Sequence, residues 1–483
     1  MLLNLDYATL IKRLIMIKFG TSGWRGIMGE DFTFQNVRFA VQGIANYLKK
    51  KYISKPISII INYDTRFLSE RFAREAAKVL SHCQIKVLFS KRDAPSQALS
   101  YEIIRRKAQG GINFTASHNP PEYNGLHIFT EKGAPAPDEI TTEIEKEIFN
   151  LKQEEGYCPY YPKAEKIEEI DLQPSYLTFL QEKIDFDLIR NSGIKIAVDP
   201  LYGASREYLD EILEENGCKV KEIHGYIDPC FGGIVPSCTE ENLGELKKLV
   251  KKYKFNLGIA TDADGDRFGI IDEGGAFISP NHIIALLLEY LIEKRGWRGS
   301  VVRSVATTHL IDRIAKNYGL EVYETPVGFK YIADYFLRKK DVILGGEESA
   351  CVTIKDHLPN KDGILVGLLV AEMIASKKKS LKAQLKDLFS KYGCRINFHK
   401  NFKLTPHTKE SLEQLIKNPP SHLNGRRVVS IEKIDGIKLI LENGDWCLLR
   451  FSGTEPIIRC YAESNSEKKV EEIINLGYKQ IST

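Results

Sequence analysis

Three aspartates, Asp262, Asp264 and Asp266, stand at alternate positions in the run Asp262-Ala263-Asp264-Gly265-Asp266-Arg267. The run directly follows the apolar stretch Leu257–Ala260, so it reads as a tight loop leaving a strand. Carboxylates so close together repel one another unless a cation lies between them. Hard oxygen ligands suit Mg²⁺, which pairs protein carboxylates with a phosphate oxygen. Arg267 adds a donor fork for a phosphate or sugar oxygen. A calcium loop fits poorly, because the glycine precedes the third Asp instead of following it. An acidic surface turn is the plain alternative.

A second loop, Thr115-Ala116-Ser117-His118-Asn119-Pro120-Pro121-Glu122-Tyr123-Asn124-Gly125, follows the apolar Gly111–Phe114. Its prolines and Asn-Gly restrain the turn. A rigid loop presenting one hydroxyl is what a nucleophile requires, although the motif taken alone reads as a serine-containing turn.

Three further segments bear groups for sugar and phosphate oxygens. Gly345-Gly346-Glu347-Glu348-Ser349 places an acceptor and a hydroxyl two residues apart after a glycine turn. Arg450-Phe451-Ser452-Gly453-Thr454-Glu455-Pro456, with Arg459 beyond, has the makings of an anion nest. Phe19-Gly20-Thr21-Ser22-Gly23-Trp24-Arg25-Gly26 allows close backbone approach and offers Arg25 to a phosphate. The last is too loose for a dinucleotide or P-loop fingerprint. Each of the three is weak alone and reads equally as a polar turn.

These loops need rigid elements behind them, and one pattern recurs three times. Ser58–Ile61, a helical pattern over 69–80 and Ile85–Phe89 form the first copy. Ile194–Val198, a helix over 205–215 and Val220–Ile223 form the second; Val301–Val305, a helix over 310–318 and Leu320–Tyr323 form the third. Strand, helix and strand repeated in this way imply three related α/β units. The tail after Gly393 differs. Short strands at Arg427–Ile431, Lys438–Leu441, Trp446–Leu449 and Ile457–Ala462, with a helix from Ser466, predict a small α+β domain. Gln153–Pro174 reads as a linker, and the run Lys377–Lys379 as a solvated helix end.

The bulk numbers agree with a multidomain globular protein. At ~100–200 residues per domain, 483 residues suggest three or four domains. A net charge of +4 gives no reason to expect nucleic acid or a membrane as partner. The nine cysteines include no Cys-x-x-Cys pair, which argues against a disulfide framework or zinc site and for a reducing cytoplasm. The apolar runs Ile283–Leu288 and Ile364–Val370 are too short to span a bilayer and read as buried helices. Met16 reads as an alternative start, with the residues before it an extension.

Taken together and in order, these motifs resemble those of the α-D-phosphohexomutase family, which includes phosphoglucomutases, phosphomannomutases and phosphoglucosamine mutases. The resemblance runs from about Ile17 to the end, and Thr-Ala-Ser-His-Asn-Pro with Asp-Ala-Asp-Gly-Asp-Arg carries most of it. It implies four domains around a central cleft, over residues 1–165, 166–276, 277–391 and 392–483: three similar α/β units with mixed sheets, then the α+β domain. It implies that Ser117 is a phosphoserine completing a Mg²⁺ site with Asp262, Asp264 and Asp266, flanked by Arg25 and Arg267. Glu347 and Ser349 would grip sugar hydroxyls. Arg450, Ser452, Gly453 and Thr454 would hold the phosphate that is not reacting, and Lys361 would also reach substrate.

The implied reaction interconverts hexose 1-phosphate and hexose 6-phosphate through a 1,6-bisphosphate, which also serves as activator. Gly-Glu-Glu-Ser favours glucose, with mannose second. A sugar 1,6-bisphosphate synthase or a non-catalytic sugar-phosphate-binding regulator are the rival readings, and the expected assembly is a monomer or homodimer. Two positions depart from the family pattern. His127 stands where many members carry a lysine, and a histidine with an ordinary pKa near ~6.5 can shuttle a proton there. Cys351 follows Ala350 where relatives carry Gly-Gly, Phe-Gly or Gly-His.

Overall fold

The computed structural model describes residues 17–154, 157–161, 163, 167–453 and 455–482. The expected extension before Met16, and Thr454, lie outside them. The chain divides into two compact units, one running to Ala276 and including Leu358–Glu372, the other comprising Phe277–His357 and Met373 onward.

The described residues form four sheets. The first contains β1 (Trp24–Ile27), β2 (Ser58–Tyr63), β3 (Lys86–Ser90), β4 (Gly110–Phe114), β5 (Tyr123–Thr130) and β6 (Ile167–Ile170), in the order β1-β5-β4-β2-β3-β6. The second contains β7 (Lys195–Asp199), β8 (Lys219–Glu222), β9 (Leu257–Thr261), β10 (Phe268–Asp272) and β11 (Ala276–Ile278), in the order β11-β10-β9-β7-β8. The third contains β12 (Ser300–Ser304), β13 (Val322–Thr325), β14 (Val342–Glu347) and β15 (Cys351–Ile354), in the order β13-β12-β14-β15.

One plan underlies all three. A buried first strand (β2, β7 or β12) has the next strand parallel on one side and the third parallel on the other. The fourth strand then returns antiparallel to the third. The central strands are β-branched and apolar, as in Ser58-Ile-Ile-Ile-Asn-Tyr63, because both faces are covered. In open α/β sheets, ligands bind beyond the carboxyl ends of the strands where the winding direction reverses. Here that place lies between the first and third strands of each repeat. Each connection from third to fourth strand emerges there: the Ser117 loop from β4, the three-Asp loop from β9 and the Glu347–Ser349 loop from β14.

The fourth sheet is antiparallel and contains β16 (Ile396–Lys403), β17 (His422–Leu423), β18 (Arg426–Glu432), β19 (Ile437–Leu441), β20 (Trp446–Phe451) and β21 (Ile457–Ser464), in the order β16-β21-β20-β19-β18-β17. The helix Glu467–Ser482 packs on it. The Arg450–Gly453 segment leaves the end of β20 toward β21.

Several elements differ from their sequence expectation. The second repeat's helix begins at Leu209, not at 205. Before it, Ser205 bonds to Thr261 and Arg206 pairs with Asp93, which holds the chain in turns. The expected linker contains β6, which adds parallel to β3. β16 and the helix Pro406–Lys417 were not anticipated in the tail, although Thr405 and Thr408 form a capping box at the helix start. In the run Lys377–Lys379 at a helix end, Lys378 and Lys379 are exposed as expected, whereas Lys377 Nζ lies 3.1 Å from buried Glu289. The two apolar runs lie in the helices Pro280–Glu293 and Gly363–Lys377. No helix among the described residues is long and apolar enough to cross a membrane. The nine cysteines are free thiols.

Candidate active site

The backbone of Ser117 is left-handed, with φ of 49°. Its N–H donates to Thr115 Oγ1 at 2.8 Å, and its Oγ donates to Asp262 Oδ2 at 2.8 Å. The hydroxyl of the first repeat's loop thus sits on the metal-type loop of the second. His118 Nδ1 lies 3.3 Å from the same Oγ.

The three aspartates are buried, and their ligand atoms lie within 4.8 Å of one another. Asp262 Oδ1 accepts the Arg267 N–H at 3.0 Å, which curls the loop back on itself. Asp264 Oδ2 accepts from Ser96 Oγ at 2.7 Å, and Gln97 Nε2 donates to Gly265 O at 2.9 Å. Lys361 Nζ pairs with Asp266 Oδ2 at 2.8 Å. The second oxygens of Asp264 and Asp266 are buried without a hydrogen-bond partner. Orphaned carboxylate oxygens in a hard-donor cluster fit a divalent cation such as Mg²⁺. Burial, and then the charges of Asp266 and Asp264, push the Asp262 carboxyl well above its ordinary range. Burial followed by Asp264 pushes Asp266 up to about 6.

Lys361 reaches the cluster because the chain re-enters the first unit at Leu358–Glu372. Gly363 N–H donates to Gly265 O at 3.2 Å. A Cβ at Gly363 would stand 2.3 Å from Arg267 O, so only glycine permits this approach.

Cationic groups surround the aspartates. Arg25 Nη1 donates to Asn119 Oδ1 at 2.6 Å, and burial together with Arg267 lowers its pKa to about 10. His118 is driven well below its ordinary value by burial, then Arg267 and Arg25. His127 does not keep the ordinary value expected of it. It is buried on β5, and burial followed by the charges of Lys361 and Arg25 takes it down to about 3. A site that resists further positive charge and concentrates guanidinium and ammonium groups favours a phosphate.

In the second unit, Glu347 ends β14 and accepts the Gly328 N–H at 2.6 Å. Ser349 Oγ lies 3.4 Å from Cys351 Sγ, and that thiol is buried. Glu348 Oε2 accepts Ser304 Oγ at 2.9 Å. Arg450 pairs through Nε with Asp435 at 2.8 Å, and Asp435 also accepts the Val327 N–H at 3.1 Å. Ser452 is half-buried and Gly453 exposed. The structure therefore gathers Ser117, the three aspartates and Lys361, and links Arg25 to the serine loop through Asn119. It places Glu347 and Ser349 at the end of β14, and Arg450 and Ser452 at the end of β20, in the other unit.

Sequence reasoning overlooked Asp64, Arg66, Ser96 and Gln97. The first two had a readable signal, an Asp-x-Arg immediately after the first apolar strand. Ser96 and Gln97 carried none.

A buried serine hydroxyl on a carboxylate cluster that fits a hard cation, with arginines beside it, suits phosphoryl transfer. The comparisons agree. Models of the phosphoglucomutase/phosphomannomutase family match residues 16–155 and 174–275 as α/β/α domains I and II. They match 279–392 as α/β/α domain III and 400–475 as the C-terminal domain. The chain belongs to this family of sugar-phosphate mutases.

It is 30% identical over 461 residues to a phosphoglucomutase/phosphomannomutase of Thermococcus kodakarensis, covering 95% of this chain and 97% of that one. It is 29% identical over 463 residues to a phosphoglucosamine mutase of Carboxydothermus hydrogenoformans, covering 95% and 97%. The solved structure of a phosphoglucomutase/phosphomannomutase family protein from Burkholderia thailandensis superposes with a TM-score of 0.81 over 96% of both chains, at 20% identity, a likeness of fold.

Proposed function

We propose that this enzyme interconverts hexose 1-phosphate and hexose 6-phosphate, with glucose the preferred sugar and mannose second, through a phosphorylated Ser117. The observation that carries the reading is the 2.8 Å hydrogen bond from Ser117 Oγ to Asp262, inside a cluster with two unpartnered carboxylate oxygens.

Phospho-Ser117 gives its phosphoryl to the free hydroxyl of the hexose phosphate. The resulting 1,6-bisphosphate turns over and returns its other phosphoryl to Ser117. The same bisphosphate, added in trace, loads Ser117 at the outset. Mg²⁺ held by Asp262, Asp264, Asp266 and the phosphoserine would neutralise charge on the transferring group. Arg25 and Arg267 bind and orient that group. Neutral His127 is able to accept a proton, and a phosphate dianion beside it would raise its affinity for one. Glu347 and Ser349 take sugar hydroxyls, and Arg450, Ser452, Gly453 and Thr454 take the phosphate that is not reacting.

A coupled assay on glucose 1-phosphate, mannose 1-phosphate and glucosamine 1-phosphate, with Mg²⁺ and a trace of the matching bisphosphate, tests this. Turnover highest on glucose and lost with chelator or with Ser117→Ala is the expected result. Turnover highest on glucosamine would overturn the sugar assignment. Absence of turnover from folded, Ser117-phosphorylated enzyme would overturn the mutase reading in favour of a bisphosphate synthase or a binder.

A further inference from the structure

The turn after β2, Asp64-Thr65-Arg66, takes no part in the chemistry above, yet its polar groups are almost fully enclosed. Arg66 is 3% exposed. Its guanidinium collects four backbone carbonyls of a single loop. Nη1 donates to Pro120 O at 2.8 Å and Tyr123 O at 3.2 Å; Nη2 donates to Asn119 O at 2.6 Å and to Ser117 O. Within the loop, Pro120 O also accepts the Tyr123 N–H at 3.1 Å, while Pro120 and Pro121 themselves bring no N–H. A planar fork with five N–H donors can serve four acceptors, whereas an ammonium has three donors and no fixed plane.

Asp64 closes the frame. It accepts the Arg66 backbone N–H at 3.0 Å and Ser69 Oγ at 2.7 Å, and its Oδ2 lies 3.2 Å from Arg66 Nε. It also accepts Thr115 Oγ1 at 2.7 Å, the hydroxyl that in turn accepts the Ser117 N–H. One buried pair therefore grips Ser117 at both ends: its carbonyl through Arg66, its N–H through Asp64 and Thr115. Only the side chain is left over, and it points at Asp262. A left-handed φ is disfavoured for serine and persists only when its surroundings impose it.

We propose that Arg66, anchored by Asp64, is a positioning residue for phosphoryl transfer. It holds the Ser117 backbone left-handed so that Oγ meets the metal-binding aspartates, and it does not touch substrate. The proposal rests on Ser117 being the phosphoryl carrier.

The test uses full-length Arg66→Lys and Thr115→Val, with two readouts. Amide hydrogen exchange needs no activity: Ser117–Asn119 should exchange at least about tenfold faster than in the parent, with β2 and β9 unchanged. In the mutase assay, kcat should fall about 100-fold, the scale of a 1 Å misplacement, with KM within about threefold. Guanidinium ion added to Arg66→Ala should restore part of kcat, and methylammonium should not. Unchanged exchange in the loop, a kcat within threefold of the parent, or a loss carried by KM would overturn the proposal. If the Arg66 variants do not fold, Thr115→Val decides by the same criteria. A parent without turnover would refute the mutase reading alone, while exchange would still report whether Arg66 holds the loop.

Discussion

Ser117 and Asp262 are 145 positions apart in sequence, and their side chains share a 2.8 Å hydrogen bond. The bond joins the same connection of two successive repeats, third strand to fourth, one supplying a hydroxyl and the other a carboxylate. A plan repeated in the fold thus yields two different halves of one chemical site.

Metal binding should invert the effect of a charge removed from the cluster. Without a cation the three carboxylates oppose one another, and after burial the Asp264 charge helps raise the Asp266 pKa. Asp264→Asn should therefore raise the unfolding midpoint in chelator, on the order of 1 kcal/mol. A ligand that binds only the native state at 100 times its Kd adds about 2.7 kcal/mol, and the variant should lose most of that gain from Mg²⁺. Thermal melts of both proteins, with chelator and with Mg²⁺, measure the crossover.

His127 should be neutral across the physiological range in the dephosphorylated enzyme, since burial and the neighbouring cations hold its pKa near 3. Phosphorylation of Ser117 should move it upward, because a dianion offsets Lys361 and Arg25. Nitrogen-15 chemical shifts of the ring, followed from pH 5 to pH 8 in both states, read this directly. An imidazolium at pH 6 in the dephosphorylated protein would contradict it.

A pH effect on stability should come from the second unit. Burial, then a hydrogen bond with Glu324, pushes Glu432 up to about 7. Burial also acts upward on Glu324, but Arg303 and Lys438 outweigh it and hold Glu324 at about 2. The folded state therefore keeps a proton on Glu432 that the unfolded chain, with a pKa near ~4.3, has already released. The associated stability is present below about pH 4 and is lost as pH rises to about 7. Glu432 is partly exposed, so the effect should be about 1 kcal/mol after solvent screening. Glu432→Gln should flatten the urea midpoint between pH 5 and pH 8 relative to the parent.

The helix Glu467–Ser482 should not tolerate a methyl at Gly477. A Cβ there would stand 2.4 Å from Cys447 Sγ and 3.2 Å from Cys460 Sγ. Gly477→Ala should cost about 1–3 kcal/mol through overpacking, against its better helix propensity. Cys447→Ala in the same chain should recover part of the loss, and a double-mutant cycle by denaturant unfolding measures the coupling.

The local signals of this chain are legible because they depend on neighbours in sequence. The alternating aspartates after Leu257–Ala260, the proline-restrained serine loop and the apolar β-branched runs of β2, β7 and β12 each declare their structure within a dozen residues. Family membership follows from their order. Where partners are distant, sequence reading ran out. Nothing near Ser96 or Gln97 announces that they will hold a loop at Asp264–Gly265, and Arg66 acquires its purpose only when four carbonyls of another segment converge on it. The free value expected of His127 was displaced by burial and by charges from Lys361 and Arg25, which only tertiary packing could bring near. Lys361 itself arrives through a chain re-entry that depends on the absence of a side chain at Gly363. Residue type and spacing determined what chemistry this protein could attempt. Tertiary structure decided which hydroxyl meets which carboxylate, because desolvation and charge proximity act through space, across any separation along the chain.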